Sequence, residues 1–470
     1  MSPLDELLAS YLDLTRHLDP LRHPFDAPEA TQHRLGRFDA PWLMAQVAAL
    51  KSIANAIEDL EEVESLDDEV DRTMLLNTIR TDIVDLETLA GGDSFDGRRP
   101  LEHARHALYA LMDEEFDADS EAALRDRIAA LPDFLASLRD ETRRLPADVA
   151  EVTRDAASLL LEALDEASEY LEDAAVQPAL VAVAEHRAWL DDPDRLGGTS
   201  YLGEEAVERH LATLSSEPVG VKGTLRLLEL RRVGVERSLL SAAEELGSDN
   251  ALQLVRTLIA EEPLDFESLL EEWPAEWERV REELATLGMP VTDDPPVEDP
   301  FEAEDRWSLA VAAVREQAAL TLDTARDMQS RAVRRLLLAP GLMDGWGRTV
   351  AALLRATPVT DQAERRLMLS YLALLDAVAA ESDLLLQSRR AGLEELNERT
   401  MRLTGVSAEA ARSLMRQVVD EPLAALAAAL AHEAWQSWYA EEGGDPVIFL
   451  QRALAGGGLS VPLARWALTN

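Results

Sequence analysis

Glu316, Asp323 and Asp327 fall at helical spacing within residues 314–350, VREQAALTLDTARDMQSRAVRRLLLAPGLMDGWGRTV, with Asp344 near its end and Asp383 beyond it. Carboxylates gathered on one face can hold a hard divalent cation such as magnesium or calcium. In a chain this acidic, the same spacing also describes an ordinary solvated helix face. The eight histidines include no HExxH. His103 and His106 share a helix face without a third ligand nearby, and His432-Glu433 lacks a second histidine, so packing or surface roles are the simpler reading for all three. Cysteine is absent, which excludes thiolate zinc, disulfides and a cysteine nucleophile. Gly456, Gly457 and Gly458 end a helix and are followed by no phosphate-binding GK[ST]. Trp435, Trp438 and Tyr439, with Trp466 near the end, read as core; a peptide-binding wall is the other option.

The elements that must position these residues are helices. Apolar residues recur every three or four positions and aromatic residues make up only 5% of the 470. No strand pairs, solenoid period or sustained heptads emerge. The expected fold class is therefore all-α, a large helical body. Turn clusters divide it into an N-terminal helical region (1–195), a middle region (196–290), a linker with prolines and acids (291–306) and a C-terminal region (307–470). The four are expected to form one continuous fold.

Charge narrows the partners. Ninety acidic against 45 basic residues give a formal charge of −45, a field that repels phosphate backbones and excludes nucleic acid. Lysine occurs only at Lys51 and Lys222. A hydrophobic share of 47% argues against disorder. A host that accumulates salt, where self-repulsion is screened, is the expected setting. The melting temperature should then rise steeply with molar KCl, and a flat response would reject that origin. The first twenty residues lack a basic region and a long apolar core, and no run reaches the roughly 18 residues of a membrane span. A soluble cytoplasmic protein without a membrane partner is expected.

Several stretches, in order, resemble the DUF 885 family of bacterial helical zinc-metallopeptidase-like proteins. ATQHRLGRFDAPW (30–42), RIAALPDFLASLRDETRRLP (127–146) and YLGEEAVERHLATL (201–214) are similar to its N-terminal segments. GLMDGWGRTVAALL (341–354) sits where the family has "fvEGWalYaE", and Asp383 where it has the aspartate of "RlvvDtGlH". LEELNERTMRLTGVSAEAA, DEPLAALAAAL and GDPVIFLQRALAGGGLSVPLARWAL continue the correspondence to the C-terminus. The resemblance implies a helical body with a central cleft in which zinc is held by "HExxPGHH" and by the acid of "EGWalYaE".

The departures fall on the site. Arg315 and Thr321 stand where the resemblance places zinc histidines, and Glu316 alone survives as the base. Asp344 replaces the acid ligand, Gln387 the histidine of "GlH", and Ala428 the tyrosine of "AlaY". A catalytic zinc needs three protein ligands and an open position for water. Without it Glu316 has no acidified water to deprotonate, and a guanidinium at 315 opposes a cation. The chain is thus expected to be a catalytically inactive homologue with no cofactor, binding a peptide or protein. An active hydrolase with non-standard ligands, using zinc or another divalent cation held by Glu316, Asp344 and Asp383, is one alternative; a structural or assembly protein is the other. An ion pair of Arg315 with Asp344 or Glu316 is expected, and Trp346 is expected to fill the old cleft.

Overall fold

The computed structural model describes residues 2–18, 34–60, 65–90, 98–112, 116–141, 147–192, 194, 197, 201–214, 219–261, 263–264, 266–292, 305–355 and 362–469. The chain is all-α. Among the described residues every element is helical, apart from one isolated antiparallel bridge between Pro263 and Asp305. It divides into two compact units, residues 1–62 with 76–202 and residues 63–75 with 203–470. The boundary expected at 195/196 is displaced to 202/203, and the expected middle and C-terminal regions share one unit. Most of the expected linker (293–304) lies outside the described residues.

The first unit contains α1 (Pro3–Leu18), α2 (Ala40–Glu58), most of α3 (Leu66–Ala90), α4 (Arg98–Tyr109), α5 (Ala118–Glu141), α6 (Ala147–Ala167) and α7 (Asp173–Leu190). Here α1 packs on α2, α4 on α6, and α7 on both α5 and α6. Buried leucine, valine and alanine faces supply the cohesion. In its core the buried Tyr11 hydroxyl donates to the buried Asp82 carboxylate at 2.6 Å. His103 packs edge-on against Phe38, with ring centres 5.5 Å apart, while His106 is exposed. His103 is thus a packing residue and His106 a surface one.

The second unit comprises α8 (Glu204–Leu214), α9 (Gly220–Glu245), α10 (Ala251–Glu261), α11 (Phe266–Thr286), α12 (Arg306–Asp327), α13 (Ala332–Leu336), α14 (Leu342–Leu353), α15 (Ala363–Gln387), α16 (Leu393–Thr404), α17 (Ala408–Asp420), α18 (Ala424–Glu442), α19 (Pro446–Ala453) and α20 (Val461–Thr469). Helix α15 is its axis. Residues 367–380 carry a single charge, Asp376, so the helix is apolar nearly all round and suits burial against several neighbours. It packs on α9, α12, α16, α17 and α18. Helix α12 starts sharply because the Asp305 carboxylate accepts the Trp307 and Ser308 amides at 2.8 and 3.1 Å, and Ser308 returns a bond to complete a capping box.

Glycine sets the spacing around α14. A Cβ on Gly347 would lie 2.8 Å from the Arg315 carbonyl oxygen, and one on Gly345 would lie 2.6 Å from the Ala431 Cβ. Any larger residue would push α14 off α12 or α18. Trp346, between the two glycines, is fully buried. It meets Trp435 edge-on at 5.1 Å, and Trp435 stacks on Trp438 at 5.4 Å. Trp435 and Trp438 are core, as expected, whereas Tyr439 and Trp466 are partly exposed. No single described helix is long and apolar enough to cross a membrane; only the bent pair Pro446–Gly456 and Val461–Thr469 matches by length and composition.

Candidate functional site

Helices α12, α14, α15 and α18 meet around a cavity of about 740 Å³, with α11 and α17 completing its walls. A cleft was expected near Arg315 and Asp344, and both residues line this cavity. On α12 the lining residues Ser308, Ala312, Arg315, Glu316 and Ala319 follow helical periodicity. On α14 they are Met343, Asp344, Gly347 and Arg348. Trp346 is not among the lining residues; its ring points into the core and does not fill the cleft, correcting that expectation.

The charged floor is built on Asp376. Its Oδ2 accepts from Arg315 Nη2 at 2.7 Å, and its Oδ1 lies 3.2 Å from Arg348 Nη2. Burial alone would raise the Asp376 carboxyl, but the Arg315, Arg348 and Arg231 charges outweigh it and hold the carboxyl below the usual range. Arg231 itself donates to the Ala429 carbonyl at 3.0 Å and pairs with Glu433 at 2.9 Å. His432 follows from the same surroundings. Burial first, then the positive charge of Arg231, Arg348 and Arg315, lowers its pKa well below the ordinary value, so it is neutral. Its Nδ1 sits 2.8 Å from the Thr349 hydroxyl.

Of the residues singled out in the sequence, Arg315, Glu316 and Asp344 line this one cavity. Arg315 forms an ion pair with Asp376, a residue that the sequence did not single out. Thr321 is buried on another side of α12, donating to the Gln317 and Pro290 carbonyls at 2.7 and 3.3 Å. The reason is that α12 runs unbroken through Ala319-Leu320, where the resembled motif has Pro-Gly. Six residues of continuous helix rotate a side chain by about 240°.

Asp383 faces away from the cavity. Its carboxylate accepts the Leu423 and Leu426 amides at 3.0 and 3.2 Å, capping α18 from a neighbouring helix. Leu423 is held there at φ 68°, in the left-handed region that a leucine rarely occupies. Burial pushes the Asp383 carboxyl up to about 7 despite those bonds. Gln387 is buried, and its backbone carbonyl accepts the Gly203 amide at 2.7 Å. Ala428 is fully buried against Gly341 and Gly345. Asp323 and Asp327 both bind Arg326, at 2.7 and 3.3 Å, and neither lines the cavity.

The donor set does not suit a catalytic zinc. Position 315 offers a cation already paired with Asp376, residue 321 points elsewhere, and Asp383 is engaged by backbone amides. The alternative trio of Glu316, Asp344 and Asp383 does not assemble, and among the described residues no group of three or more His, Asp or Glu side chains is placed to hold a metal.

No family model and no curated protein matches this chain. Two solved structures share its fold over the whole length. One is a putative lipoprotein of unknown function from Shewanella oneidensis, with a TM-score of 0.79 at 14% identity and 100% of both chains covered. The other is a putative lipoprotein from Colwellia psychrerythraea, with a TM-score of 0.77 at 12% identity, covering 100% of this chain and 99% of that one. Likeness at this identity establishes the fold. The descriptions overturn the cytoplasmic placement expected from the first residues. A lipid anchor is attached covalently outside a folded body, so charge and periodicity within the body carry no such address.

Proposed function

We propose that this chain is a non-hydrolytic, peptide-binding descendant of helical zinc metallopeptidases that has exchanged its metal for an arginine–carboxylate floor. The Arg315–Asp376 pair, set in the wall of the cavity, carries this reading. A fixed guanidinium occupies the position from which a metal ligand would reach the cavity. The volume of about 740 Å³ falls in the range of ligand sites, which favours a binding role over a purely structural one. The lipoprotein descriptions of the two fold neighbours support work at a lipid-anchored location.

The test is metal content of untagged protein purified without chelators in molar KCl, by inductively coupled plasma mass spectrometry. Less than about a tenth of an equivalent of any transition metal is expected, because a structured zinc site survives purification. A content near one zinc per chain would overturn the proposal and assign the chain to the metal-dependent hydrolases.

A further inference from the structure

One wall of the cavity stands between its depth and solvent. Helix α17 turns Ala410, Ser413, Leu414, Gln417 and Val418 to the cavity, at the three- and four-residue spacing of a single helix face. Ser413 and Gln417 on that face are exposed. On the other walls Trp273, Ala312 and Tyr371 are buried. Helix α17 packs on α15 and α16, whereas α14 packs on both α12 and α18 around the same space. Gly345 and Gly347 bring those three helices into close contact. Of the walls, α17 is the one that moves without dismantling the rest.

Both of its ends carry backbone suited to a hinge. Gly405 precedes the helix at φ 73° and Leu423 follows it at φ 68°. Glycine enters the left-handed region at no steric cost, but leucine does so only when its surroundings compel it. The compulsion here is Asp383, whose carboxylate accepts the Leu423 and Leu426 amides at 3.0 and 3.2 Å. Asp420, Glu421, Ala424 and Ala425, on either side of Leu423, line the cavity, while Asp383 does not. Once released, Leu423 relaxes to an ordinary φ, and the chain joining α17 to α18 changes direction. A glycine at 423 would hold the same turn unstrained. A strained leucine secured by one side chain has a held state and a released one.

We propose that α17 is a lid over the cavity, hinged at Gly405 and Leu423 and latched by Asp383. Its movement governs access whatever ligand the cavity takes, so it goes beyond the binding function proposed above and is tested apart from it.

The chain has no cysteine, so a single introduced thiol reports access without background. Ala312→Cys places one on the inner wall, and Ala243→Cys places a control in the α9 core, outside the cavity lining. Labelling of each by N-ethylmaleimide is followed in the full chain at urea concentrations well below the unfolding midpoint. At 243 the rate should climb steeply with urea, because that thiol is reached by unfolding; at 312 it should be nearly flat, because opening a lid exposes little surface. Asp383→Ala should raise the flat rate at 312 at least about tenfold. Asp383→Asn, which keeps one acceptor, should raise it about threefold, and it decides by the same criterion if the alanine variant does not fold. A flat rate at 312 that neither variant changes would mean a cavity that is always open, and would overturn the lid. A rate at 312 as steep in urea as that at 243 would mean a cavity reached only by unfolding, and would overturn it as well.

Discussion

Replacing Asp376 with alanine is expected to cost about 3–5 kcal/mol, read as a lower urea midpoint of tryptophan fluorescence. Arg315 and Arg348 keep only 11% and 14% of their side-chain surface exposed. Asp376 is the counter-charge they share, and Arg231 contributes to the same field. Without the carboxylate, two guanidiniums stay partly buried beside a third and repel one another. The loss is dominated by stranded charge, not by missing contacts. The triple substitution Arg315→Met, Arg348→Met and Asp376→Leu removes the charges together and should recover most of the stability. A single-variant cost under about 1 kcal/mol would mean that water screens the floor, and that the network is not the core feature claimed for it.

Asp383→Ala is expected to cost about 3 kcal/mol, because it leaves the amides at the start of α18 buried without an acceptor and releases Leu423 from its left-handed conformation. Asp383→Asn keeps one carbonyl acceptor and should cost less. The pair also predicts a pH dependence. In the folded chain the Asp383 carboxyl holds its proton to about 7, whereas the ordinary value is 3.8. Between these values the folded state binds more protons than the unfolded one, so raising the pH favours unfolding. The contribution of Asp383 is thus fully present below about pH 4, declines as pH rises towards 7, and is flat above. Urea midpoints from pH 5.5 to 8 should show the unaltered chain losing stability relative to Asp383→Asn up to about pH 7. Parallel curves would show that the carboxylate is ionised throughout and that the amides, not burial, govern it.

Part of the site was legible beforehand. The resemblance that singled out Arg315, Glu316 and Asp344 pointed to three residues that line one cavity. Asp376 has a local signal of its own: it is the lone charge in fourteen consecutive residues of α15, and a charge in such a setting needs a buried partner. Arg348 offered no comparable signal, since arginines are scattered through the whole chain. The resemblance sets Asp383 at the site, whereas the structure makes it the cap of α18. Its value lies in two backbone amides some forty residues away, which no local pattern announces. Thr321 points away from the cavity because the resembled motif is broken by Pro-Gly, while this chain continues its helix there.

What the residues alone determined is the class of structure. Helical periodicity, capping residues and breaks are local properties written within a few positions, and they specified an all-α chain of tryptophan-bearing core helices. Which helices meet, and which of the many charges face one another, depends on contacts between residues far apart in the chain. Only the tertiary structure decided that Arg315 turns to Asp376 and that Asp383 closes the end of α18. It also decided that Trp346 enters the core, leaving the cavity open, because glycine at 345 and 347 lets three helices approach to backbone contact.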